Sequence, residues 1–74
     1  MNSIEFLQDR LIDMGFDKKE FDLNIDLRNE LGLDSAELVD LTLSIEEKYG
    51  FDIDFSEIDH LSLYEISKII DNNI

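Results

Sequence analysis

Between Asp34 and Gly50 the chain carries a helix whose start, interior and stop all agree. Asp34 offers an N-cap acceptor, and Glu37 three residues later gives DSAE the spacing of a capping box. An apolar-periodic run continues to Tyr49, and Gly50 stands where the left-handed backbone of a helix stop is needed. In a chain of 74 residues such a helix constrains everything else, because there is length for one hydrophobic core and none for a second. The expectation is a single domain over residues 1–74 that packs its other segments against this helix.

Those segments are readable in outline. Ile4, Leu7, Leu11 and Met14 recur at helical spacing, with Asn2 or Ser3 able to cap the start and Gly15 able to end it. Ser62 and Glu65 form a second capping-box pattern ahead of Ile66, Ile69 and Ile70, predicting a last helix that runs to about Asp71. A short piece beginning near Ser56 has room for one helical turn or two. Residues 16–33 lose the period, and Asp22, Asn24, Asp26, Asn29 and Gly32 favour turns. A loop this long is uncommon in a compact domain unless functional, so Phe21, Leu23, Ile25, Leu27 and Leu31 are expected to pin it to the core. Phe51, Ile53 and Phe55 alternate with acids, but a lone strand would have no partner. The fold class expected is all-α.

Charge excludes several functions. Nineteen Asp and Glu stand against six Lys and Arg, for a formal net charge of −13. That field repels nucleic acid and anionic membrane and favours basic protein surfaces. The apolar fraction of 43% is nevertheless that of a folding chain rather than an acidic tail. With no Cys there is no disulfide framework, thiolate nucleophile or cysteine metal site, and the expected compartment is the cytoplasm. Glu5, Asp9, Arg10 and Asp13 break up the apolar residues of the N-terminal segment, which suits neither a secretory signal nor a membrane span.

On a helical wheel Leu38, Leu41, Thr42, Ile45 and Tyr49 share one arc, the core face. An adjoining arc collects Ser35, Ala36, Val39 and Leu43 with Asp40, Glu46 and Glu47. Val39 and Leu43 either widen the buried stripe or form the apolar centre of a docking surface rimmed by carboxylates, and for Leu43 the two readings are evenly matched. Ser35 falls in the first turn, where unpaired N–H groups and the helix dipole welcome a phosphate, although Asp34 beside it offsets part of that attraction. The plainer reading, that Ser35 or Asp34 only caps the helix, is locally the commoner case.

Residues 31–53, LGLDSAELVDLTLSIEEKYGFDI, resemble acyl carrier proteins, in which a Gly-x-Asp-Ser segment opens the second helix. The acidic, Cys-free chain and the closing SLYEISKII extend the likeness over nearly its whole length. The resemblance implies a four-helix bundle with a short third helix and a long loop between helices one and two. It also implies that a phosphopantetheinyl transferase joins the 4′-phosphopantetheine of coenzyme A to Ser35, with Asp34 in the recognition motif. Ala36, Glu37, Val39, Asp40, Leu43, Glu46 and Glu47 then fall at positions that meet partner enzymes with basic docking surfaces. The carrier would be a monomer that holds acyl groups as thioesters for fatty-acid, polyketide or related secondary biosynthesis. An aminoacyl, peptidyl or D-alanyl carrier is the runner-up, and an unmodified acidic adaptor the third reading. The sequence departs from the family's habit at Ala36, where a bulkier aliphatic residue usually follows the serine, at Asp54, where many relatives have proline, and in the brief tail after Ile70. Ala36 weakens an assignment to housekeeping fatty acid synthesis, and the other two departures leave the pathway, not the fold, open.

Catalysis by the chain itself is not expected. Its one His, His60, lies far along the sequence from Ser35 and reads as a surface residue or a helix cap, so no general base is evident. Asp22, Asn24 and Asp26, and again Asp52, Asp54 and Ser56, imitate the start of a calcium loop. Both fail where such a loop needs its glycine (Leu27, Glu57) and its closing carboxylate (Leu33, Leu63).

Overall fold

The computed structural model describes residues 3–74 and is all-helical, with no strand among the described residues. Three α-helices form: α1 (Ser3–Asp13), α2 (Ser35–Tyr49) and α3 (Leu63–Asn73). Helix α1 packs against α3 and, over a shorter stretch, against α2. Leu7 and Leu11 of α1, Leu41 and Ile45 of α2, and Leu63, Ile66 and Ile70 of α3 meet in one core with no exposed surface. Each such side chain contributes about 1.5–3 kcal/mol. The exposed ion pairs of Arg10 with Asp13 and of Lys68 with Glu65 are worth at most about 1 kcal/mol apiece, so burial and not pairing holds this acidic chain together.

Helix α2 begins and ends where its sequence says. The Asp34 carboxylate accepts the Glu37 N–H at 2.8 Å, and the Glu37 side chain accepts the Asp34 N–H at 3.0 Å, so both halves of the capping box are made. Gly50 closes the helix at φ 83°, donating its N–H to the Glu46 carbonyl. The box expected at α3 is only half formed. Ser62 accepts the Glu65 N–H, but the Ser62 N–H goes to the His60 carbonyl instead of the Glu65 side chain. Helix α3 also runs two residues past the expected Asp71. Of the two caps expected for α1, Asn2 lies outside the described residues. Ser3 belongs to α1 itself, and its buried hydroxyl meets Ser67 Oγ and Asp71 of α3.

The long loop is pinned as expected, with Phe21 and Leu27 buried and Leu23, Ile25 and Leu31 packed partly against the core. It also contains a 3-10 turn, Lys18–Glu20, whose Asp17 and Glu20 repeat the capping box of α2. The short piece expected near Ser56 is a single 3-10 turn, Phe55–Glu57, the shorter of the two lengths expected, so three α-helices stand where the resemblance implied four. Asp54 spends its carboxylate on the Ser56 N–H and hydroxyl, and the carbonyls of Phe55, Ile58 and Asp59 point to the Arg28 guanidinium. With those groups occupied, no α-helical ladder propagates through this segment.

Candidate functional site

Ser35 is the first residue of α2 and is exposed, and its hydroxyl makes no hydrogen bond among the described residues. Capping falls to Asp34 alone, so the hydroxyl is not spent on the helix start. The Ser35 and Ala36 N–H groups, which no intrahelical carbonyl can reach, likewise lack partners among the described residues. An accessible oxygen with helix-terminal donors beside it is a setting that fits a phosphodiester. No base among the described residues touches that oxygen. His60, the surface residue expected, bonds the Asn24 carbonyl and lies 3.8 Å from Asp26 in the long loop.

The adjoining arc of α2 is open. Val39 is 55% and Leu43 50% exposed, which settles the even choice at Leu43 against the core and leaves two aliphatic side chains in water. Ala36, Asp40, Glu46 and Glu47 are exposed around them, while Glu37 is half-buried and engaged in the capping box. The acids are not equivalent. Asp40 lies 3.6 Å from the Arg10 guanidinium of α1. Asp52, through a contact that favours a shared proton and through its charge, raises the Glu46 carboxyl above the ordinary value, with desolvation and the Glu47 charge adding to it.

A groove of about 250 Å³ opens beside this face. Leu38, Val39 and Thr42 form its α2 wall, one to two helical turns beyond Ser35, and Ile53, Phe55 and Ser56 form the other. No cluster of His, Asp or Glu among the described residues is arranged to hold a metal ion. The acids that imitate calcium loops are committed to turns: Asp22 accepts the Asn24 and Ile25 N–H groups, and Asp54 the Ser56 N–H and hydroxyl. No helix among the described residues is long and apolar enough to cross a membrane.

Sequence reasoning missed the pair that organises the far side of the groove. Asp26 is 4% exposed and accepts N–H groups from Arg28 and Asn29 on one carboxylate oxygen and from Leu61 on the other. Burial opposes its charge, but those N–H groups and the Arg28 guanidinium outweigh burial and hold the carboxyl below its ordinary value. The signal was local: an Asp two and three residues ahead of the amides it caps.

A family model for the phosphopantetheine attachment site matches residues 6–70. An acyl carrier protein of Coprothermobacter proteolyticus is 34% identical over 59 residues, covering 78% of this chain and 72% of that one. No solved structure matches at a comparable level. Taken with an all-helical fold and an accessible serine at a capped helix start, these matches show that the chain belongs to the phosphopantetheine-attachment family of acyl carrier proteins, carriers that use 4′-phosphopantetheine and are not enzymes.

Proposed function

We propose that Ser35 carries the 4′-phosphopantetheine arm and that the exposed arc of α2 is the address read by partner enzymes, the cargo being an acyl group. The observation that carries this reading is the exposed Ser35 hydroxyl, unbonded at a helix start already capped by Asp34. When bound, the arm supplies the thiol that this Cys-free chain lacks and holds cargo as a thioester. The protein's own work is to present an oxygen to the transferase, which must bring the base, and to offer a surface for docking. Intact mass after incubation with coenzyme A, magnesium and a broad-specificity phosphopantetheinyl transferase tests the assignment. One phosphopantetheine gained is expected, and no gain on folded protein, with a control carrier modified in parallel, would favour the unmodified adaptor.

The docking surface is Val39 and Leu43 framed by Ala36, Asp40, Glu46 and Glu47, with Glu37 at its edge. Burial of the aliphatic centre supplies affinity, and the acids steer a basic partner. Because Asp40 already has Arg10 beside it, Glu47→Gln is expected to slow association with the transferase more than Asp40→Asn. The double variant should lose about tenfold in on-rate at low salt and show a flatter salt dependence. Stopped-flow association rates across a salt series check this, and unchanged rates would remove the acids from docking.

A further inference from the structure

A second groove, of about 380 Å³, runs between α1 and α2. Phe6 and Arg10 line it from α1, and Ser44, Glu47 and Lys48 from α2. Asp40, Ser44, Glu47 and Lys48 stand at i, i+4, i+7 and i+8, so they form one stripe that continues the exposed arc of α2 toward α1. Two of the chain's six Lys and Arg meet in this groove, and neither is fully matched by the nineteen acids. Lys48 makes no ion pair among the described residues, and its ammonium lies over the Phe6 ring, 5.5 Å from the centroid. Arg10 Nη1 donates to Asp13 at 3.3 Å, but Nη2 stands 3.6 Å from Asp40, too far for a hydrogen bond. The Arg10 Nε–H is buried and meets no acceptor among the described residues.

We propose that this groove receives an acidic side chain of the partner enzyme. The surface that partners read is then bipolar: a basic patch for Asp40 and Glu47 and, beside it, one carboxylate for Arg10 and Lys48. This inference rests on the exposed arc of α2 as the docking surface. A partner cation that engages Asp40 competes with Arg10, which holds that carboxylate only loosely. Once Asp40 turns to the partner, Arg10 is left with Asp13, and a carboxylate entering between Arg10 and Lys48 takes the vacated place. The net charge of −13 selects the source of that carboxylate. A free anion or a polyanion is repelled, whereas a single carboxylate set in a basic surface arrives with the attraction of its neighbours. Register follows as well, because a partner shifted on α2 sets its acid against Asp40 or Glu47.

The experiment titrates the full chain at low salt with a lysine-rich amphipathic helical peptide, in wild type and in Lys48→Gln. A single glutamate is moved through the glutamine positions of the peptide, and affinity is read by fluorescence anisotropy. Each glutamate lowers the positive charge of the peptide, so net charge alone makes every such peptide bind more weakly than the all-glutamine parent. The groove predicts the reverse at one register: a peptide about fivefold tighter than the parent, which moves the amides of Ser44 and Lys48. In Lys48→Gln that gain should disappear. No register tighter than the parent, or an equal gain in the variant, would overturn the proposal. So would free glutarate that moves the same amides at the same concentration, which makes the groove a site for small anions. Lys48→Met keeps the stem over Phe6 and serves the same comparison if the glutamine variant does not fold. If no peptide binds at all, the acidic arc itself fails as a docking surface, and the role of the groove falls with it.

Discussion

Ser35→Ala is expected to accept no phosphopantetheine at all while keeping the stability of the unmodified protein to within about 0.5 kcal/mol. The hydroxyl is exposed and makes no hydrogen bond among the described residues, and alanine is the residue best suited to a helix, so the fold loses nothing by its removal. Asp34→Ala makes the contrast. It leaves the Glu37 N–H without its acceptor and breaks the capping box, which should cost about 1 kcal/mol. Intact mass and urea unfolding on both variants separate the roles of two adjacent side chains. If Ser35→Ala lost as much stability as Asp34→Ala, the serine would be structural and its accessibility incidental.

The largest effect on stability should come from Asp26. Replacing it with alanine orphans the N–H groups of Arg28, Asn29 and Leu61, the last of them buried, and removes the charge beside the Arg28 guanidinium. A loss of about 3 kcal/mol is expected, since an unsatisfied buried donor costs about 1–3 kcal/mol. In a domain of this size that lowers the thermal midpoint by about 4–8 °C per kcal/mol. Asn should fall between Asp and Ala. One of its two terminal atoms becomes a donor, so either the Arg28 and Asn29 amides or the Leu61 amide loses its acceptor. Thermal melts of the three proteins at neutral pH decide it, and an Asp26→Ala midpoint equal to wild type would show these bonds to be replaceable by water.

The same carboxylate shapes the response to acid. Asp26 is held below its ordinary value of 3.8, so its stabilisation is complete above that pH and is lost as pH falls through the lower folded value. Glu46 has the opposite sign. Its folded value lies above the ordinary 4.5, so the unfavourable contact with Asp52 that weakens the fold at neutral pH disappears as Glu46 takes up a proton. Stability should therefore rise on mild acidification and fall steeply below 3.8, and Asp26→Asn should lose the steep part of the fall.

What was legible in the sequence was what short-range chemistry decides. The ends of α2 could be read to the residue because Asp34, Glu37 and Gly50 act on amides and carbonyls within four positions of themselves. Its two faces could be read because a helix turns at a fixed rate, although whether Leu43 was covered depended on neighbours that no wheel contains, and it is exposed. The short third helix stops at one turn for a long-range reason. Carbonyls near Phe55 are engaged by Arg28, 27 residues earlier in the chain, and nothing around residue 55 announces that. Half of the Ser62 box failed similarly, because the Ser62 N–H bonds the His60 carbonyl in a turn that the spacing of Ser62 and Glu65 does not encode. The D-x-x-E of Asp17 and Glu20, by contrast, was as readable as that of α2 and simply lacked an apolar run to draw attention to it.

The bonds from Asp26, Leu27 and Arg28 to residues 55–61 join the chain on either side of α2. Mechanically, the helix is the span of a closed ring, not a rod hung from a flexible tether. A load applied to α2 is therefore shared between its two ends through these bonds.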